Sequence, residues 1–300
     1  MNYSIDPTYL FDSQYNEDIK GEKLRRIFSN NFNDRKKQNN FYYHDEKKYF
    51  ITAGNLDWDT AHFGIKMAKL EHCYSRETFP KESWKSFENW LNEKGIEHLS
   101  YRTNLVNYKS IEFMVREGFE LMTHKLMFRL PSAKFISDTN SFYDEYQEPV
   151  SDEILNISEN SFSYGRFNND QYIPKEKTKD LYKCWLINSM KNNNKLIVEY
   201  ENNKIVGFVL YSLGINYNKE IDELLPHGFI SLIATLPELK RKGIGKKLLN
   251  QALSNMFHHY GVNVVYGNTD IMNKEGSGLF QSTGFMIFNI LTELRRWYGN

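Results

Sequence analysis

Residues 228–250, GFISLIATLPELKRKGIGKKLLN, constrain the fold more than any other stretch of the chain. An apolar run from Phe229 to Ala234 reads as a buried strand, Pro237 stops it, and Lys240, Arg241, Lys242, Gly243, Ile244 and Gly245 lead into an amphipathic helix. Gly243 and Gly245 carry no Cβ and can take positive φ, so backbone N–H groups can turn toward an anion and approach it closely. The helix expected from Lys246 to Asn255 aims its N-terminal partial positive charge at the same place. Its core stripe is Leu248, Leu249, Ala252, Leu253 and Met256. A G-x-G alone is equally an ordinary strand-to-helix connection; the strand before it and the basic triplet make it a phosphate-holding loop.

The run P-E-L-K-R-K-G-I-G followed by K-K-L-L resembles the cofactor loop of the GNAT N-acetyltransferases, with Lys240 where that family carries Arg or Gln. The resemblance implies acetyl-CoA as cofactor, with the amides of Arg241, Lys242, Gly243, Ile244, Gly245 and Lys246 around its pyrophosphate. It also implies that Ile233 and Thr235 run beside the pantetheine arm. The loop is not a Walker sequence, because no Gly-Lys-Ser/Thr ends it.

Three hundred residues suffice for two domains with real cores. The formal net charge is zero, so no global field draws the chain to nucleic acid or to an anionic membrane, and the basic residues around 240–247 are a local feature. Two cysteines, Cys73 and Cys184, give no disulfide framework. The N-terminal stretch has neither a basic n-region nor a long apolar run, and no segment reaches membrane-spanning length. A cytoplasmic protein without a metal is the expectation.

Residues 1–40 are polar and Asn-rich, with a helix plausible over 21–29. From 41 to 74, short aromatic and apolar runs broken at Gly54-Asn55 and Phe63-Gly64 suggest strands and a hairpin. Pro80 opens a helix with Trp84, Phe87, Trp90 and Leu91 on one face, and a strand follows over 96–102. Sliding the chain against itself then exposes a repeat: Gly95, Thr103, Asn107, Gly118 and Phe119 coincide with Gly261, Thr269, Asn273, Gly284 and Phe285, every pair 166 residues apart. At that offset Gly243 and Gly245 fall on Glu77 and Phe79, and the basic triplet falls on Tyr74, Ser75 and Arg76. The first copy therefore lacks the loop, and its expected job is to help wall a substrate cleft.

These patterns divide the chain into an extension, 1–40, a partial unit without a phosphate loop, 41–130, a linker, 131–141, and a second α/β unit, 142–300. In the second unit a strand is expected at 142–146, helices at 151–162 and 174–190, a loop at 164–173 and a hairpin at 195–213. A helix at 246–258, a strand at 262–266, a helix at 273–282 and a last strand from Phe285 complete it. The order matches that of the GNAT family, so the expected fold is α/β: a GNAT-like mixed central sheet flanked by helices, preceded by a partial GNAT-like domain.

In the GNAT pattern an Asn at the entrance to the 273–282 helix bonds the cofactor arm, and a Tyr seven residues on protonates the departing thiolate. Asn273 fits the first role, and is equally a helix N-cap. The second position is Phe280, which has no proton to give and keeps only a packing role near the thiol. His227, at the start of the key strand, and Ser231, within it, are candidates for deprotonating an acceptor amine; Asp270 is a weaker one. Residues 55–64, NLDWDTAHFG, and the set Tyr164, Arg166, Phe167, Tyr172, Tyr182 and Trp185 resemble the dTDP-fucosamine acetyltransferases, two-domain GNAT enzymes. That resemblance implies a small-molecule amine acceptor, a nucleotide sugar above all, with aromatic planes for base or sugar and Arg166 for a diphosphate. No nucleic acid or membrane partner is expected, and a homodimer stays open. An acceptor of another kind, such as a polyamine, an antibiotic or a peptide N-terminus, would be cationic, and the acids Glu220, Asp222 and Glu223 would suit it. A non-catalytic acyl-CoA-binding protein is the reading that Phe280 keeps alive.

Overall fold

The computed structural model describes residues 41–46, 49–75, 81–136, 141–218 and 223–298. The extension 1–40, with its expected helix at 21–29, lies outside them, as do Glu77, Phe79, Pro80, Glu220 and Asp222. The fold is mixed α/β, with strands flanked by helices. Its compact units do not follow the sequential boundaries expected at 41–130 and 142–300. Among the described residues, one unit takes in 124–216 and 224–290; the other takes in those from 41 to 123, 217–218, 223 and 291–298. They are called below the loop unit and the N-terminal unit.

In the N-terminal unit, β1 (Phe41–Glu46) and β2 (Tyr49–Asn55) form the expected hairpin, and β3 (Met67–Ser75) lies antiparallel to β2. Between β2 and β3 the sequence reading missed a helix, α1 (Asp57–Phe63). Its signals were local: Asp57 and Asp59 favour the first turn, and Gly64, at φ 73°, closes the helix by donating its N–H to the Thr60 carbonyl at 2.9 Å. Helix α2 (Lys81–Lys94) buries Trp84, Phe87 and Leu91 at helical spacing against Leu70, Leu99 and Met114. Then come β4 (His98–Asn104), parallel to β3, and α3 (Tyr108–Arg116). The strand order here is β1-β2-β3-β4, closed by the C-terminal half of β10 (Met286–Trp297), whose Leu291–Trp297 pair antiparallel with His98–Asn104.

The loop unit receives β5 (Glu120–Pro131) from the N-terminal side of the chain. It continues with α4 (Asp152–Ser161), capped by the Ser151 hydroxyl, a helical turn α5 (Arg166–Asn169), and α6 (Lys175–Lys191). The hairpin of β6 (Lys195–Glu201) and β7 (Lys204–Asn218) turns on Asn202 and Asn203, both at positive φ. Next are β8 (Glu223–Thr235), α7 (Ile244–Ser254), β9 (Val264–Asp270) and α8 (Lys274–Ser282). The strand order is β5-β9-β8-β7-β6.

The expected core stripe of α7 is fully buried: Leu248, Leu249, Ala252, Leu253 and Met256 pack on Phe128, Val209, Ile230 and Val265. The helix loosens at its end into a π-turn over Asn255–His259. The strand expected at 142–146 does not form. Instead Tyr146 N–H donates to Leu196 at 2.7 Å, while the Glu145 carboxylate takes the Tyr211 hydroxyl at 2.6 Å, the Tyr260 hydroxyl at 2.8 Å and Lys195 at 3.0 Å. Burial first, and then the hydrogen bond to Glu145, raise the Tyr211 hydroxyl far above the ordinary phenol range, so it stays a donor.

The repeat is a repeat of structure. Strands β4 and β9, helices α3 and α8, and strands β5 and β10 coincide at both ends when 166 is added to the first of each pair. Gly95 and Gly261 take φ 63° and 62°, and Gly118 and Gly284 take φ 83° and 88°. The strands before them keep a different offset. β3 pairs with β4 over Met67–Leu70 and β8 with β9 over His227–Ile230, which sets Met67 against His227, 160 residues on, and Ser75 against Thr235. The equivalence of the loop glycines with Glu77 and Phe79 is thereby corrected. Between the end of the strand and the glycine that follows the helix, Thr235 to Gly261 against Ser75 to Gly95, the second copy is six residues longer, and the basic loop lies in that longer stretch.

Candidate functional site

Strands β8 and β9 are parallel neighbours for four positions only, from His227 opposite Val264 to Ile230 opposite Gly267. Both continue, β8 to Thr235 and β9 to Asp270, beyond their shared ladder. The far end of β8 stays tied to its other neighbour, β7, where Leu236 N–H donates to Val206 at 2.9 Å and Gly207 lies so close to the Ala234 carbonyl that a Cβ would come within 2.9 Å of it. A slot therefore opens between β8 and β9 from Ser231 onward. A shift of face accompanies it. Ile230 and Ile233, an odd number of residues apart, both pack toward α7, while Leu232 and Ala234 pack with α4 and α6.

The basic loop stands at the mouth of this slot. A 3₁₀ turn, Pro237–Leu239, leaves β8; Arg241 takes φ 64° and Gly243 φ 85°, and α7 starts at Ile244. The sequence reading gave positive φ to both glycines. The structure gives it to Gly243 and Arg241, while Gly245 lies inside the first turn of α7, where an added Cβ would only touch Leu279 at 3.6 Å. Around Gly243 there is open space for an approaching group. The first N–H groups of an α-helix have no partner within the helix, so the start of α7 presents donors and partial positive charge on the side of Gly243.

Not all the loop cations face a ligand. Lys240 Nζ binds Glu275 at 2.9 Å, joining the loop to the first turn of α8, and Lys247 binds Glu199 on β6. Arg241, Lys242 and Lys246 are exposed and, among the described residues, have no ion-pair partner.

The β9 side of the slot ends in Asn273. Its Oδ1 accepts from Gly276 N–H at 2.9 Å, and its Nδ2 donates to Thr269 at 2.9 Å. The side chain is thus an N-cap in this structure, held at the slot's edge with one amide hydrogen left to give. Gly276 is what lets it lie so close: a Cβ there would come within 2.7 Å of Nδ2. The sequence reading passed over Thr269 as a partner, although the repeated Thr–Asn spacing at 103/107 and 269/273 was its signal.

Phe280 is a core residue, 3 % exposed, stacked on Phe128 at 4.9 Å and edge-on to Phe285 at 5.0 Å. Its ring covers Gly267, where a Cβ would come within 2.5 Å of it. Ser231 stands where the ladder ends, half-buried. His227 does not stand with it: four residues earlier, about 13 Å along a strand, its ring packs on Gly214 and edge-on to Tyr266. Asp270, at the end of β9, is buried, and its carboxylate accepts from Met272 N–H at 3.0 Å, which turns the chain into α8. Ile233 and Thr235 lie on β8 beyond its last position paired with β9, with Ile233 packed on the core.

The expected acceptor residues divide. Phe162 stacks on Tyr182 at 4.5 Å, and both pack on the cluster that holds Leu232 and Ala234. Tyr164, Tyr172 and Trp185 present exposed ring surface, and Tyr182 donates its hydroxyl to the Tyr164 carbonyl at 3.2 Å. Phe167 is buried, with the Arg166 guanidinium 4.4 Å over its ring. Among the described residues there is no cluster of side chains able to hold a metal, and no helix is long and apolar enough to cross a membrane.

Comparison with known proteins agrees with this geometry. The acetyltransferase (GNAT) family profile matches residues 152–285, from α4 to the start of β10. The N-alpha-acetyltransferase of Saccharolobus solfataricus is 26 % identical over 91 residues, 30 % of this chain and 54 % of that protein. The chain spans about half the length of the curated relatives it matches. Two solved structures share the fold: a tandem GNAT protein from the clavulanic acid biosynthesis pathway, with TM-score 0.55 and 10 % identity over 87 % of this chain and 84 % of that one, and a GCN5-related N-acetyltransferase from Sphaerobacter thermophilus, with TM-score 0.52 and 11 % identity over 82 % and 76 %.

Proposed function

We propose that this chain, with its GNAT acetyltransferase domain over residues 152–285, is an acetyl-CoA-dependent N-acetyltransferase acting on a small amine, a dTDP-linked aminosugar in the first instance. The observation that carries the reading is the coincidence of two features at one place. β8 and β9 part after four paired positions, and a basic turn whose Arg241, Lys242 and Lys246 have no ion-pair partner among the described residues stands at the mouth of the gap.

The residues fit the cofactor. The first amides of α7, with Arg241, Lys242 and Lys246 around them, suit a diphosphate, and Gly243 leaves room for it. The open edge of β8 from Ser231 to Thr235 offers backbone groups to an amide-bearing arm such as pantetheine, with Asn273 on the opposite side. Acetyl-CoA, when bound, supplies an activated acetyl thioester. A backbone N–H of Leu232 to Ala234 would be placed to hold the oxygen of that thioester. Ser231 stands closest to that point and would pass the amine's proton to water, while His227, about 13 Å back along β8, is outside hydrogen-bond reach of it. Phe280, sealed under Phe128, has no proton to give, so the leaving thiol would have to take its proton from water.

The sugar-nucleotide acceptor is supported by the resemblance of residues 55–64 and 161–185 and by the exposed rings of Tyr164, Tyr172 and Trp185. A peptide N-terminus is the second reading, supported by the N-alpha-acetyltransferase relative. Acetyl transfer assayed side by side with dTDP-linked aminosugars and short peptides decides between them. Turnover on the nucleotide sugar alone upholds the first, and turnover on peptides alone replaces it with the second. Measured acetyl-CoA binding with no transfer to either class, or to polyamines, leaves the non-catalytic acyl-CoA-binding reading in its place.

A further inference from the structure

The two repeats complete each other's sheets. In the loop unit, β9 of the second repeat pairs with Lys125–Pro131 of β5, the last strand of the first repeat. In the N-terminal unit, β4 of the first repeat pairs with Leu291–Trp297 of β10, the last strand of the second. The registers correspond. Asn104 faces Leu291 and Asp270 faces Lys125, and adding 166 to Asn104 while subtracting it from Leu291 turns one pair into the other.

We propose that this exchange of last strands is obligatory for the fold and is selected by one ion pair, Arg102–Glu293. The pair lies directly across the β4–β10 ladder, with Arg102 Nε donating to Glu293 at 2.8 Å and the Glu293 side chain 1 % exposed. The equivalent pair across β5–β9 is Met127 with Asn268. If each repeat kept its own last strand in the same register, Arg102 would face Met127 and Glu293 would face Asn268. A carboxylate buried on that strand would then lose its cation, a strongly unfavourable state. Exchange puts charge with charge and leaves the other pair uncharged, which is how a cross-strand pair specifies a partner. Arg296, donating to Glu88 on α2 at 2.9 Å, fastens β10 further within the N-terminal unit.

The consequence reaches the candidate site. β5 holds both ends of the β9–α8 segment that borders the slot: the His124 carbonyl accepts from Ile271 N–H at 2.9 Å, and Phe128 stacks under Phe280. The first repeat, which has no loop of its own, is by this account the source of the strand that positions the slot's β9 side. The boundary expected at 131–141 then falls between repeats that share strands rather than between separable domains.

The test uses the full chain with a protease site inserted after Ile136, which is 91 % exposed. After cleavage under native conditions the two fragments should elute together at the size of the intact 35.7 kDa chain, with the amides of Val264–Asp270 as protected from hydrogen exchange as before. In the cut protein Arg102→Met should weaken the association of the fragments at least tenfold, and Arg102→Met with Glu293→Met should restore most of it. Fragments that separate on cutting, each folded and with those amides still protected, would overturn obligatory exchange. An Arg102→Met protein whose fragments hold as tightly as the unsubstituted pair would overturn the role of the ion pair.

Discussion

The first and second repeats share a strand–helix–strand frame to the residue, yet only the second carries the features of a site. In both, two parallel strands pair for four positions and then run on past their shared ladder, β3 with β4 and β8 with β9. In both, an Asn four residues after a Thr reaches back to its hydroxyl, at 3.0 Å for Asn107 and 2.9 Å for Asn273. The second repeat has six more residues between the end of the strand and the glycine that follows the helix, and the basic turn lies among them. It also has Gly276 where the first has Ser110, whose hydroxyl reaches the Cys73 carbonyl of β3 at 3.3 Å. Asn273 caps its helix and Asn107 does not. Parted strands are thus a property of the frame, and among the described residues the basic turn and the Asn273 cap belong to the second repeat alone.

Substitutions at equivalent positions of the two repeats should have unequal effects. Phe280→Ala and Met114→Ala remove equivalent buried side chains, and each should cost about 2–5 kcal/mol in chemical denaturation. Only Phe280→Ala should also weaken acetyl-CoA binding. Gly243→Asp places a carboxylate where the diphosphate belongs, a repulsion of about 4 kcal/mol at contact near a protein surface, so affinity should fall by about a hundredfold or more in calorimetry. The open space around Gly243 leaves the fold standing, though φ 85° costs a non-glycine residue about 1–2 kcal/mol. Asn273→Ala loses a cap and should cost about 1 kcal/mol; Asn107→Ala, with no cap to lose, should cost less, and equal losses would refute the distinction. Lys240→Ala breaks a surface pair with Glu275 and should change stability by less than about 1 kcal/mol.

The loop, the α7 stripe and the 166-residue repeat were legible in the sequence because each is written in local order: apolar periodicity, glycines and a constant spacing. What stayed hidden depended on distant partners. Nothing local to β5 says that it pairs with β9, because β5 and β10 occupy the same place in their repeats and both read as plain strands. The mapping of the loop onto Glu77 and Phe79 failed because one offset was carried across an insertion. The role of Phe280 also needed the fold: its ring is held by Phe128, 152 positions earlier, and admitted by Gly267, which carries no side chain to block it.

The central claim is that one repeat, and not the other, holds a cofactor. Calorimetric titration of the wild-type chain with acetyl-CoA tests it most directly, through the number of molecules bound. The account predicts one acetyl-CoA per chain. A stoichiometry of two would give the first repeat a site that it lacks here, and no binding at all would contradict the reading of the loop.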